Sequence, residues 1–127
     1  MKKMRRFTKS KTIQKIWHIL VSLQTPEDVS RFMEDLFTPS EVSMAGQRLL
    51  IATMLHRELK YEEIVDKTGA IRSTIHEVWK VLHRGTGGYE VAFSALQQEQ
   101  ERKDYHRREY HKSPEQRYIE HRLQKGK

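Results

Sequence analysis

Residues 61–80, YEEIVDKTGAIRSTIHEVWK, most constrain the fold: two short helical patterns joined through a glycine. Tyr61 to Lys67 predict a first helix, with Ile64 and Val65 turned inward. Thr68-Gly69 makes the turn, because a residue without Cβ takes positive φ at little cost. Ala70 and Ile71 lead into a second helix whose inward residues are Ile75 and Val78. Two helices crossing at roughly 90–120° through a short turn with glycine form a helix-turn-helix. Arg72, Ser73, His76 and Lys80 then share the outer face of the second helix, available to a DNA major groove. Val65 stands where the motif usually has alanine.

The net charge of +7 over 127 residues is unevenly placed. Residues 1–24 hold Lys2, Lys3, Arg5, Arg6, Lys9, Lys11 and Lys15 and no acid. Residues 25–96 hold eight basic and eleven acidic residues, and residues 97–127 nine and six. The helix-turn-helix segment is therefore acidic overall. Attraction for phosphate sits mainly in residues 1–10, a basic arm, and less in the tail, residues 99–127. Arg5 and Arg6 are candidate minor-groove contacts, against the blander alternative of a solubilising tail.

No cysteine means no disulfide framework and no thiolate ligand or nucleophile. No run approaches the roughly 20 apolar residues of a membrane span. The basic start lacks the apolar stretch and cleavage site of a leader, so a cytoplasmic protein, nucleoid-associated when bound, is expected.

Residues 11–98 read as one helical domain. Ile13, Ile16, Trp17, Leu20 and Val21 form a first stripe. Thr25-Pro26-Glu27-Asp28 starts the next helix with a cap hydroxyl, proline at the first position and acids facing the helix dipole. Thr38-Pro39-Ser40-Glu41 repeats the signal as a capping box, and the helix after it runs to about Arg57. That helix is apolar nearly all round, through Val42, Met44, Ala45, Leu49, Leu50, Ile51, Ala52, Met54 and Leu55. A helix of this kind must be surrounded, and a small domain has few elements to do it. Interlocked N-terminal helices of a homodimer are the economical solution; a compact monomer with a covered central helix is the other. Gly85 to Gly88 predict a loop, then Tyr89 to about Gln98 a helix that the densely charged ERKDYHRREYHK extends until Ser113-Pro114 interrupts it.

The run FTPSEVSMAGQRLLIATMLHRELKYEEIVDKTGAIRSTIHEVWKVL resembles the Trp repressor superfamily, with its Thr-Pro-x-Glu, its central-helix Gln-Arg and its helix-turn-helix. The continuation HRGTGGYEVAF is similar to the ending of the YerC/YecD branch of that superfamily. The resemblance implies an all-α, Trp-repressor-like intertwined homodimer that binds double-stranded operator DNA and represses transcription. It covers about residues 11–96. By the same resemblance, Arg48 matches the arginine that stacks on a tryptophan corepressor, and Thr38 matches a pocket residue. The second corepressor-contacting arginine falls at Glu77, and the glycine that leaves room for the indole falls at Val78. Glu77 removes a donor to the ligand carboxylate and Val78 fills its space, so tryptophan is not expected to act here. Thr38, Arg48, Glu77 and Val78 remain a candidate effector pocket of unnamed ligand; an ion pair of Arg48, with Glu77 for example, is the structural alternative.

Arg72 is the candidate for base readout, since arginine can contact guanine O6 and N7 with two bonds. Ser73 and Thr74 are expected to cap the helix or touch phosphate, and His76 and Lys80 to follow one and two turns along. Glu62, Glu63, Asp66 and Glu77 would repel DNA, which keeps a plain solvated helix face as one alternative. The acidic first helix supports another, a protein-interaction module with the motif retained as scaffold. RNA binding has thin support in Phe7, Tyr105 and Tyr110. His106 and His111 stand about 140° apart on a helix, so with Glu109 and His121 they do not predict a metal site. No catalytic constellation is present, and no cofactor is expected.

Overall fold

The computed structural model describes residues 10–126. Arg5 and Arg6, and all of the basic arm except Ser10, lie outside the described residues. All regular structure among these is helical: α1 (Lys11–Ser22), α2 (Pro26–Leu36), α3 (Pro39–His56), α4 (Tyr61–Thr68), α5 (Arg72–Arg84), α6 (Gly88–His111) and α7 (Pro114–Lys125). The chain forms two compact units that divide at Thr86 and Gly87.

In the first unit the helix starts follow from their caps. Thr25 Oγ1 accepts the Asp28 amide at 3.2 Å ahead of Pro26. Thr38 and Glu41 close a reciprocal box at the start of α3: the Glu41 amide donates to Thr38 Oγ1 at 3.2 Å, and the Thr38 amide to Glu41 Oε1 at 3.1 Å. The Thr38 amide and, at 2.8 Å, the Thr38 hydroxyl both donate to the Glu41 carboxylate and hold it below the ordinary carboxyl range. α3 ends at His56 with Arg57 as its C-cap; the next residue, Glu58, is a non-glycine in the left-handed region with φ +62, and the Leu59 amide closes back on Met54 O.

The core is where α3, α4 and α5 pack together. Ile51 and Ala52 from α3, Ile64 from α4, Ala70 from the turn, and Ile75 and Val78 from α5 are its buried side chains. The inward positions anticipated for the helix-turn-helix are thus occupied, with Val65 half-buried. Full burial of one isoleucine is worth about 1.5–3 kcal/mol, so Ile51, Ile64 and Ile75 anchor the motif.

Outside that core the unit leaves much apolar surface open. Val42, Met44, Leu49 and Leu50 on α3 are 37 %, 50 %, 41 % and 45 % exposed, and Trp17 and Val21 on α1 are exposed too. Within one chain, α3 is therefore not covered on all sides.

In the second unit, the predicted helix near 89–98 and its charged extension are one continuous α6, so the boundary drawn at 98/99 falls inside a helix. Ser113-Pro114 starts α7 through a second capping box with Gln116. Lys112 bridges Glu109 and Glu120 across the corner, and both carboxylates push its ammonium pKa up. Arg117 adds two bonds to Lys112 O. No described helix is long and apolar enough to cross a membrane.

Candidate nucleic-acid interface

The turn between α4 and α5 sets the orientation of every candidate DNA contact. Gly69 takes φ +69 and its amide donates to Val65 O at 2.8 Å, which stops α4. Thr68 Oγ1 donates to Ile64 O at 2.6 Å and accepts from the Ala70 amide at 3.2 Å, so one hydroxyl ties both sides of the turn. Ala70 is then buried, and Ile71 stands as the residue before α5 with extended backbone.

The capping expected of Ser73 and Thr74 does not occur. The N-cap position belongs to Ile71, and no side chain caps α5. α5 starts at Arg72, as the lead-in of Ala70 and Ile71 anticipates, so Ser73 and Thr74 fall inside the first turn rather than at the cap. The first amides of α5 therefore lack a side-chain acceptor, and Ser73 stands exposed beside them while Thr74 is half-buried. A helix start of this kind favours an anion such as a phosphate oxygen.

Along the outer face, Arg72 and His76 are exposed and Lys80 is half-buried. Each has a partner. Arg72 Nη2 donates to Glu62 Oε1 of α4 at 3.1 Å. The hydroxyl of Tyr61 lies 3.4 Å from His76 Nδ1. Lys80 Nζ donates to Glu77 Oε1 at 3.0 Å, and this cation holds Glu77 below the ordinary carboxyl range. Trp79 is stacked between His76 and His83, at centroid distances of 5.7 and 4.2 Å. Sequence reasoning missed this column, although its spacing of i, i+3 and i+7 is visible along α5.

The candidate effector residues do not converge within one chain. Arg48 lines an open groove of about 400 Å³ with Met33, Phe37, Glu41, Val42, Met44 and Ala45. Thr38 is spent on the α3 cap, Glu77 is turned toward Lys80, and Val78 is in the core. The suggested Arg48–Glu77 pair is absent among the described residues. None of the described His, Asp and Glu side chains form a cluster of three or more suited to a metal ion.

With this geometry in view, likeness to known proteins identifies the class. The family described as Trp repressor protein matches residues 11–98, and the chain belongs to that family. Among its relatives, the uncharacterized protein YerC of Bacillus subtilis is 32 % identical over 90 residues, covering 71 % of this chain and 86 % of that protein. A TrpR-like protein from Eubacterium eligens superposes with a TM-score of 0.67 at 31 % identity, over 70 % of this chain and 92 % of that one. A putative Trp repressor from Staphylococcus aureus gives 0.66 at 25 % identity, over 70 % and 89 %. The all-α, Trp-repressor-like architecture is common to them, and the family match stops at residue 98, within α6.

Proposed function

We propose that this chain is a sequence-specific DNA-binding regulator, acting as a repressor and binding a palindromic operator as a homodimer. The observation that carries this reading is the start of α5, where uncapped amides sit beside exposed Ser73 and Arg72, with His76 and Lys80 further along the helix. Arg72 reads a base, Ser73 and Thr74 meet phosphate, and His76 and Lys80 position the helix in the groove. The open apolar faces of α1 and α3 support a partner chain interlocked there, which would set two copies of α5 about one helical turn of DNA apart. Arg5 and Arg6 add sequence-independent affinity as minor-groove contacts. The protein works in the cytoplasm, on the nucleoid when bound, without enzymatic chemistry and without tryptophan as corepressor. Thr38, Arg48, Glu77 and Val78 form an effector pocket only where two chains bring them together.

The Glu62–Arg72 and Glu77–Lys80 pairs favour a second reading, a protein-interaction module whose cations are already neutralised. Selection from random duplex DNA at fixed salt separates the two. An enriched palindrome supports the regulator, while no enrichment from an intact dimer supports the module.

A further inference from the structure

Glu62 and Arg72 come from different helices, ten residues apart, and meet at 3.1 Å with side-chain exposures of 77 % and 64 %. A pair so open to solvent contributes little to stability. Its consequence is geometric. One of the five N–H donors of the guanidinium goes to Glu62 Oε1, which sets the two side chains side by side and leaves four donors for a ligand. The carboxylate accepts as well, since its two oxygens offer about four lone-pair sites and Arg72 takes one. The two side chains therefore present donors and an acceptor side by side.

The major-groove edge of a G·C pair shows the complement in a row: the acceptors N7 and O6 of guanine, then the N4 amino donor of cytosine. O6 and N4 are themselves joined by a base-pair hydrogen bond of about 2.9 Å, close to the separation of the Glu62 and Arg72 atoms. We infer that Glu62 is a specificity-determining residue: Arg72 donates to guanine N7 and O6 while Glu62 accepts from N4 of the paired cytosine, so that the two read one whole G·C pair in each half-site. This rests on α5 being the DNA-reading helix. It reverses the meaning that charge alone gives Glu62, because a carboxylate in the groove repels phosphate yet gains a bond with one particular base.

The test uses the full chain and the duplex enriched by wild-type protein, with every base pair of a half-site substituted in turn. At one position, replacing G·C by A·T, T·A or C·G is expected to weaken wild-type binding about tenfold or more. Glu62→Ala should lose most of that discrimination at this position and leave the others unchanged. Glu62→Gln, which keeps an acceptor oxygen, should retain part of it. Arg72→Ala should flatten the same position, and the double variant should be no flatter than Arg72→Ala. Circular dichroism checks that these exposed substitutions leave the fold intact. If both Glu62 variants tighten binding to every duplex alike with the base preferences kept, Glu62 is a repulsive charge only and the inference is overturned. Wild-type protein that enriches no duplex would instead remove the DNA reading on which it rests.

Discussion

Glu77 and Lys80 form an ion pair along α5, with Lys80 Nζ 3.0 Å from Glu77 Oε1. The pair occupies a cation on the face assigned to DNA, and Glu77 is not among the described residues that line the groove with Arg48. Removing the carboxylate with Glu77→Ala is expected to tighten binding to any duplex, in fluorescence anisotropy, and to steepen the log K against log salt slope by about 0.9 as Lys80 reaches a phosphate. The pH dependence follows from the sign of the Glu77 shift. Its pKa is lowered by Lys80, so the pair is fully present above the ordinary glutamate range and is lost as pH falls through the lowered value. Wild-type binding should therefore strengthen toward acid more than Glu77→Ala binding does. Equal pH profiles for the two would show that the pair has no part in affinity.

Two left-handed residues make a matched stability test. Gly69 at φ +69 has no neighbouring atom within 4 Å of where an added Cβ would sit, so Gly69→Ala carries only a conformational cost of about 1–2 kcal/mol. Glu58 at φ +62 already bears that strain, and Glu58→Gly should recover part of it, about 1 kcal/mol. Urea unfolding should move the midpoint down for the first variant and up for the second. Shifts of the same sign would contradict these backbone assignments.

L-tryptophan is expected to change neither Tm nor DNA affinity. Val78 is buried in the core, and Glu77, paired with Lys80, is an anion at the position where the Trp-repressor pattern has a corepressor-contacting arginine. A ligand at 100 times its Kd adds about 2.7 kcal/mol, which shifts the Tm of a small domain by several degrees. A rise of that size with tryptophan would show a pocket completed by other residues.

The exposed face of α3 sets a further expectation. Leu50, 45 % exposed in one chain, should be covered by a partner in solution. Sedimentation should read a dimer for the wild type and a loss of that dimer for Leu50→Glu, which would bury an unpaired charge. A monomeric wild type at micromolar concentration would exclude the interlocked arrangement.

Local chemistry made much of this fold legible. The Thr25-Pro26 and Thr38-Pro39 starts, Gly69, and the inward Ile64, Ile75 and Val78 all follow from rules that act within a few residues. The start of α5 was legible in Ala70 and Ile71, but the capping expected of Ser73 and Thr74 was not, since the N-cap falls at Ile71 and leaves both inside the helix. Contacts between helices were not readable at all. Glu62 reaches Arg72 and Tyr61 reaches His76 only once the turn has set the two helices together. Helical periodicity reports neighbours three and four residues apart, and these are ten and fifteen apart.

Whether α5 reads DNA is decided by equilibrium titration of the selected duplex, beside a scrambled duplex of equal length at the same salt. Two chains should bind each selected duplex, about a thousandfold or more tighter than the scrambled one. Arg72→Ala should weaken only the selected duplex, by about tenfold or more. Equal affinity for the two duplexes, or an Arg72→Ala variant indistinguishable from wild type on both, would contradict the assignment of α5 as the helix that reads DNA.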